Sequence, residues 1–434
     1  MSYSRRRRNG RNQSTNAPIT SIATKALAAY GAFKLASWAW NKFNTKDDDE
    51  QDYETSNMNT SFSDTLNHRV QHHHSSKAFS RRRQLQLRKC NQETISVLDT
   101  FLNTLRSTIE TLTDFSPLTR MLKEMKKSKD GGSESESNHN GGDDGDKDGD
   151  SDRGTGTGTD TGNGNPSKQK LWDEIKTKSV TRMISTVYAH SILNLILTVQ
   201  INLLGGRIFR EQLHVRGELG DTHEEGEIIS TNGQADGSSH KEVLLKTYEY
   251  FFHEGLNALV SDVEMVVQMN LPDWKVIKDD AESLGSISMD QFDDRMQCIR
   301  KILDRMTIEQ YICGDDFKSQ QTDDVQFIFE ETLDLLESPV FETAKRDVID
   351  ATFHVLKEHG YGTLFGGEED KAVPVPLAGV VTKLKKITNS FYASPDESAE
   401  DTWVDKPMSS YPNVYLYHLD RIDSVKELSD VSFN

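Results

Sequence analysis

Two clusters in this chain carry residue types that bind metal ions. The first is His68 with the run His72–His74, which presents imidazole nitrogens within about two helical turns. Imidazole is a common zinc ligand, but no cysteine stands beside these histidines at the spacing of a zinc site. Short histidine tracts can equally be solvated. We therefore predict no metal centre here.

The second cluster resembles the start of a calcium-binding loop. Asp144, Asp146 and Asp148 occupy its first ligand positions, but the twelfth position falls on Thr155 rather than on a bidentate glutamate. The surrounding tract, 128–166, is rich in Gly, Asp and Ser, and such a composition cannot bury a core. We predict a disordered acidic loop that leaves the flanking helices free to pack together.

Catalytic motifs are not found in the sequence. It contains no phosphate-binding loop, no dinucleotide fingerprint, no HExxH and no GxSxG. The thirteen histidines are mostly scattered singly, and no carboxylate pair stands out among 69 acidic residues. We therefore predict a protein that is not an enzyme and needs no cofactor. An enzyme with an unrecognised helical active site remains the alternative.

Trp172 is the remaining candidate for a specific contact. It lies beside Leu171 and Ile175 and follows the basic stretch SKQK. A tryptophan in this setting either packs on a neighbouring helix or anchors a partner in a helix-binding groove, because tryptophan is over-represented among energetic hot spots. Residue pattern alone leaves both interpretations open.

The helix that must position Trp172 continues into a long apolar run. The run between Arg182 and Arg207 contains no Asp, Glu, Lys or Arg, and it is long enough to cross a bilayer. However, polar side chains inside the run would be costly against lipid and acceptable when bonded to neighbouring helices. We predict a central core helix that begins after the cap Ser167 and ends at Gly205–Gly206. The polar residues of this run are His190, Asn194, Gln200 and Asn202.

Helical periodicity dominates the rest of the sequence. Apolar residues recur at helical spacing from Ile95 to Leu112. Ser116 as the cap, with Pro117 in the first turn, predicts the start of a second helix. Extended structure is indicated only near 371–381. The predicted fold is all-α, an elongated bundle of long helices around a central apolar helix, forming a cytosolic domain over 81–434.

Charge is distributed unevenly along the 434 residues. The chain has a net charge of −18 and a mean hydropathy of −0.66, which argues against a nucleic-acid-binding protein. Residues 1–46 contain nine basic residues and no acidic residue. The three cysteines form no CxxC pair, which is typical of a reduced, cytosol-facing protein.

The N-terminal region is predicted to target and anchor the protein. A basic targeting segment, 1–16, precedes an Ala-rich apolar segment, 17–40, which we predict to be a transmembrane anchor, and a polar linker follows at 41–80. Two alternatives stay open for the apolar segment: a cleaved mitochondrial presequence, which would make this a matrix protein, and an interfacial helix. The targeting arginines are Arg5, Arg6, Arg7, Arg8 and Arg11.

Several stretches together resemble the peroxin-3 family of peroxisomal biogenesis factors. The most specific is LWDEIKTKSVTR, continued by LTVQINLLGG. RKCNQETISVL, LTRMLKEM, ETLDLLESPVF and VPLAGVVTKL occur in the family's order. The resemblance covers most of the chain from about Arg81 onward, and it is weak over about 207–325.

This resemblance implies a docking receptor in peroxisome biogenesis. A family member is a single-pass protein of the peroxisomal membrane whose C-terminal domain lies in the cytosol. It receives peroxin-19, a soluble chaperone that carries peroxisomal membrane proteins, and binds an amphipathic helix of that chaperone in a groove. The resemblance implies no nucleic acid and no small-molecule substrate. It also implies an N-terminus on the far side of the membrane, opposite to the side that the positive-inside rule would predict for Arg5–Arg11.

The family's groove residues can be assigned to positions in this sequence. The groove tryptophan corresponds to Trp172, which favours the groove interpretation over simple packing. The resemblance implies that the partner-binding residues are Trp172, Lys168, Leu122, Thr119, Lys123 and Ile175.

Overall fold

The computed structural model describes residues 64–130, 167–215, 237–277, 285–314, 323–366, 373–390, 414–419 and 421–434. The predicted targeting segment 1–16 and anchor 17–40 lie outside these residues. Within them, the helices are α1 (Asp64–Leu112), α2 (Ser116–Asp130), α3 (Lys168–Val215), α4 (Gly237–Tyr250), α5 (Leu256–Asn270), α6 (Met289–Leu303), α7 (Glu309–Ile312), α8 (Asp323–Leu336), α9 (Pro339–Phe365), α10 (Leu377–Ser390), α11 (Val414–Leu419) and α12 (Asp423–Phe433). A single π-helical turn, Phe251–Gly255, joins α4 to α5.

The all-α prediction is confirmed. In the described residues the only sheet pairs β1 (Ser286–Ile287) with β2 (Val375–Pro376) in antiparallel register. The predicted extended segment 371–381 is therefore extended over β2 and turns helical at Leu377. The reason is visible in the sequence, because the buried residues Leu377, Val380, Val381 and Leu384 recur at helical spacing.

Helix α3 forms the centre of the domain, as predicted. It packs against α1, α2, α5, α8, α9, α10 and α12. Among the described helices it is the only one long and apolar enough to cross a membrane, and 83% of its most apolar window is buried inside the protein. The apolar run is thus enclosed by protein.

Three of the four predicted polar side chains of α3 form hydrogen bonds to nearby groups, whereas the Asn194 amide nitrogen has no partner among the described residues. The Asn202 amide donates to the carbonyl of Thr198 at 2.8 Å, and the Gln200 amide donates to Thr247 of α4 at 3.1 Å. His190 Nδ1 lies 2.6 Å from the carbonyl oxygen of Thr186. Burial lowers the pKa of His190 to about 4, so its imidazole is neutral at physiological pH.

The prediction that Gly205–Gly206 end the central helix is wrong. Helix α3 continues through both residues to Val215. A Cβ atom at Gly205 would lie 2.3 Å from the Cys90 sulfur, and one at Gly206 would lie 2.0 Å from the carbonyl oxygen of Phe433. The two glycines therefore allow α1 and α12 to approach the central helix closely.

The boundaries of α1 and α2 refine the predicted linker and loop. Helix α1 begins at Asp64, so the linker predicted over 41–80 is helical from that residue. The acidic loop predicted over 128–166 begins with three helical residues, because α2 ends at Asp130, and the remainder lies outside the described residues. His68 and His72–His74 lie within α1, in a part of the helix where only the backbone is described.

Candidate partner-binding surface

A tight corner connects α1 to α2 and determines where α2 begins. The Asp114 carboxylate accepts the backbone N–H of Ser116 at 2.9 Å, which holds the pKa of Asp114 below its usual value. Ser116 is the first residue of α2, so the predicted capping role belongs to Asp114 instead. Pro117 lies in the first turn, as predicted, where its missing N–H costs nothing.

Arg182 of α3 binds this corner. Its guanidinium donates to the Thr113 hydroxyl at 2.9 Å and to the carbonyl oxygens of Thr113 and Glu110 at 3.0 and 3.2 Å. The same group lies 4.8 Å from the centre of the Phe115 ring. These carbonyls belong to the last turn of α1 and the residue after it, where the helix dipole favours a cation.

The α2 side of the surface combines apolar and basic residues. Leu118 and Leu122 are half-buried against the main core, and Lys123 is exposed. Thr119 is half-buried, and its hydroxyl donates to the carbonyl of Phe115 at 3.1 Å. Helical spacing therefore places an apolar stripe against α3 with basic residues beside it.

The α3 side shows a gradient of exposure along one face. Lys168, Trp172 and Ile175 follow one another at spacings of four and three residues, so they share a face of the helix. Lys168 is exposed, Trp172 is half-buried against the main core, and Ile175 is only 4% exposed. Ser167 accepts the backbone N–H of Lys170 at 3.3 Å, which confirms its predicted capping role.

The sequence analysis missed two buried cations of α3 that support this region. One is Arg182, and the other is Lys176, which is 3% exposed. The Lys176 ammonium donates to the carbonyl oxygens of Leu271 and Trp274, at 3.0 and 2.6 Å, just beyond the end of α5. It also pairs with Asp173 at 3.1 Å. Arg182 is the last charge before the apolar run, and its partners cannot be read from its neighbours in sequence.

The surface around Trp172 is basic although the whole chain is acidic. Six exposed cations lie on α2 and on the first turn of α3, and the described parts of the chain give none of them an ion-pair partner. They are Arg120, Lys123, Lys126, Lys127, Lys168 and Lys170. An acidic partner would be attracted to this end of the domain.

A second concave site lies outside this surface. It is a cavity of ≈ 680 Å³ beside Trp274 and β1. Its Asp273 carboxylate is paired with Arg295 at 2.5 Å, and its described lining contains no histidine. The described ranges also hold no group of three or more His, Cys, Asp or Glu side chains that could bind a metal ion.

The structure places the sequence-predicted partner-binding residues on two helices that pack against each other. Thr119, Leu122 and Lys123 lie on α2, and Lys168 and Trp172 lie on α3, which packs against it. We call these five residues the docking surface. Ile175 is buried next to Trp172 along the same helix. The targeting arginines, Arg5–Arg8 and Arg11, lie outside the described residues.

Comparison with known proteins agrees with the sequence motifs. The model of the family described as Peroxin-3 matches residues 45–215. The resemblance to the peroxin-3 family is therefore confirmed. This match spans α1, α2 and α3, and so it includes both helices that carry the docking surface.

Two relatives extend the comparison. Peroxisome biogenesis protein 3-2 of Arabidopsis thaliana is 28% identical over 101 residues, which are 23% of this chain and 25% of that protein. Peroxisomal biogenesis factor 3 of Bos taurus is 24% identical over 247 residues, which are 50% of this chain and 61% of that protein. The chain thus matches about a quarter of the length of the Arabidopsis protein and about three-fifths of the length of the bovine protein.

Proposed function

We propose that this protein is a docking receptor for the peroxin-19 chaperone at the peroxisomal membrane. By receiving the chaperone, it would support the insertion of peroxisomal membrane proteins and the biogenesis of the organelle. The peroxin-3 resemblance supports this proposal, and both relatives are named for peroxisome biogenesis.

The environment of Trp172 is the observation that carries the proposal. The indole is half-buried on α3, beside a helix whose Leu118 and Leu122 are also half-buried against the same core. An amphipathic helix laid along this pair would complete the burial of these apolar side chains. Burying an aromatic anchor in a dry pocket typically contributes about 2–4 kcal/mol to binding.

The other residues of the docking surface have distinct roles in this proposal. Leu122 and Thr119 form the α2 side of the contact, and Ile175 supports Trp172 from within the core. Lys123 and Lys168 are exposed and attract an acidic partner, which raises the association rate more than the final affinity. The partner is therefore an amphipathic helix with acidic flanks, and neither nucleic acid nor a small-molecule substrate is required.

The proposal includes a membrane topology. The apolar segment 17–40 serves as a single-pass anchor, the basic cluster Arg5–Arg11 directs the chain to the peroxisome, and the helical domain faces the cytosol. A fluorescent fusion of residues 1–46 tests this part. A peroxisomal signal supports the topology, whereas a mitochondrial signal would favour a cleaved presequence and a diffuse signal would contradict an anchor.

Replacing Trp172 by alanine tests the docking role. We expect affinity for the amphipathic helix of the chaperone to fall at least tenfold, about 1.4 kcal/mol, while the melting temperature barely changes. The binding constant is measured by calorimetry with the synthetic helix and the full chain in detergent micelles. Trp274→Ala is the matched control, because it removes another half-buried tryptophan, which stacks on Phe292 outside the docking surface.

Two results would contradict this role for Trp172. Unchanged affinity in Trp172→Ala would remove the residue from the binding site. A large fall in melting temperature would instead assign its side chain to the core, where its loss weakens the whole domain.

A further inference from the structure

We propose that Arg182 is a positioning residue for the docking surface: its guanidinium holds α2 against α3 in the arrangement that receives the partner helix. This inference rests on the proposed function, and it assigns to a buried residue the preorganisation of an exposed site. Arg182 itself is only 4% exposed, so it does not contact the partner.

The contacts of Arg182 all fall on the corner between α1 and α2. One guanidinium nitrogen donates to the Thr113 hydroxyl, and another donates to the carbonyl oxygens of Thr113 and Glu110. The Thr113 hydroxyl donates in turn to the carbonyl of Ile109 at 2.6 Å. The hydroxyl is thus used as both donor and acceptor, which gives the end of α1 a defined position on α3.

The second part of the contact reaches the docking surface directly. The guanidinium faces the Phe115 ring at 4.8 Å, and the Phe115 carbonyl accepts both the backbone N–H and the hydroxyl of Thr119, each at 3.1 Å. Thr119 belongs to the docking surface. A single buried side chain therefore connects α3 to the first turn of α2, in which the docking residues begin.

The chemistry of these contacts is specific for arginine. A guanidinium offers several N–H donors in a fixed plane and can stack on an aromatic ring at the same time. A lysine at this position would keep the charge, but its ammonium is a point charge and cannot reproduce the planar fork. Arg182→Lys should therefore preserve only part of the constraint that the arginine places on α2.

Preorganisation translates into affinity in a simple way. When only a fraction of the molecules hold α2 in the receptive arrangement, the apparent dissociation constant rises by the inverse of that fraction. Loosening the corner so that one molecule in ten is receptive weakens binding about tenfold without altering any side chain that touches the partner.

Hydrogen exchange and affinity measured together test the proposal. In Arg182→Met, used as the full chain in detergent micelles, we expect the α2 amides between 119 and 127 to exchange at least tenfold faster, while those of α9 stay protected. The affinity for the synthetic amphipathic helix should fall at least tenfold. Saturating peptide should restore protection in α2, because the bound partner supplies the missing constraint.

Arg300→Met is the matched control. Arg300 of α6 lies 5.2 Å from the Phe353 ring, so like Arg182 it faces an aromatic side chain, but its ion-pair partners, Asp304 and Asp350, are carboxylates away from α2. Its loss should increase exchange in α6 and α9 and leave the α2 amides and the affinity unchanged.

Several results would overturn the proposal. One is that Arg182→Met and Arg300→Met, compared at the same fraction folded, show the same exchange rates in α2 and the same affinity for the helix. If Arg182→Met does not fold, Arg182→Lys is used instead, and it should change α2 exchange and affinity in the same directions by smaller amounts. No change in either would contradict a positioning role. If the wild type fails to bind the helix, the proposed function fails, but exchange in α2 still decides whether Arg182 positions that helix.

Discussion

The two halves of α3 share a backbone but have opposite surroundings. From Lys168 to Lys178 the helix alternates exposed, half-buried and buried residues, whereas every residue from Ser179 to Gly206 is buried. The open half, Lys168–Lys178, contains Trp172 and the buried cation Lys176. The enclosed half, Ser179–Gly206, carries one charge, Arg182, and charged residues return only at Arg207.

This difference teaches how one long helix can serve both recognition and stability. The enclosed half is surrounded by other helices, so its neighbours fix the position of the whole element. The open half can therefore leave apolar surface for a partner without losing its place in the fold. Apart from Arg182, substitutions in the enclosed half should change mainly the free energy of unfolding, whereas under the proposed function those in the open half should change binding.

The largest expected effect tests how tightly the enclosed half is packed. Gly206→Ala should lower the free energy of unfolding by about 3 kcal/mol or more, because the new methyl group would meet the Phe433 backbone at 2.0 Å. Urea titration of the full chain measures this. Gly362→Ala of α9 is the control: apart from the backbone of its own helix, no atom lies within 4 Å of the position that a Cβ would take, so the change should stabilise the protein slightly.

A pH titration probes the same enclosure through His190. Burial lowers its folded-state pKa to about 4 from an ordinary value of 6.5. Below pH 6.5 the unfolded chain therefore binds a proton that the folded chain does not, and stability falls as the pH falls. Between pH 7 and 5 the loss should be about 2 kcal/mol.

The variant His190→Gln should lack this part of the pH dependence. The comparison uses the slope of stability against pH, so any constant cost of the substitution cancels. Parallel slopes in wild type and variant would mean that the imidazole is accessible to protons in the folded state, contrary to its burial.

Gly205→Ala sharpens the comparison at an adjacent position. Its new methyl group would meet the sulfur of Cys90 at 2.3 Å, and this clash should cost about 1–2 kcal/mol. Cys90→Ala in the same chain should recover about 1 kcal/mol of it, a coupling that a double-mutant cycle measures. Cys298→Ala, on α6, should give an additive result. Additivity with Cys90 as well would contradict the close packing.

The smallest effect concerns the open half and its basic surroundings. Lys123→Gln combined with Lys168→Gln should slow association with the chaperone helix about threefold at low salt, with little change in dissociation rate. The difference should shrink as salt is added. Lys426→Gln on α12 combined with Lys301→Gln on α6 removes the same number of exposed charges away from the docking surface and is the control for net charge. An equal loss in that variant would argue against local steering.

Much of the fold could be predicted from residue pattern. The buried residues of α1, including Leu98, Leu102 and Leu105, follow the predicted helical spacing. The central helix was recognisable because His190 and Gln200 interrupt a run that lipid would not accept. Periodicity and polarity are local properties, and they are sufficient to identify such elements.

Features that depend on distant partners could not be predicted in the same way. Gly205 and Gly206 suggest a helix end, but glycine also allows close approach, and only the positions of α1 and α12 distinguish the two roles. Arg182 bonds to Thr113, 69 residues earlier, so nothing beside it in sequence identifies its partner. The docking residues came from the family resemblance, and the structure adds that Ile175 is buried.

Two of the three cysteines occupy opposite environments, and the third, Cys313, is half-buried. Cys90 is completely buried against Gly205, and this burial raises the pKa of its thiol to about 12, whereas Cys298 is exposed on α6. Alkylating reagents attack thiolates that they can reach, so a maleimide dye should modify Cys298 and spare Cys90. Because Cys313 is only half-buried, the chain to label is Cys313→Ser, which offers Cys298 on α6 as the attachment point for a fluorophore that reports arrival of a labelled partner helix by energy transfer.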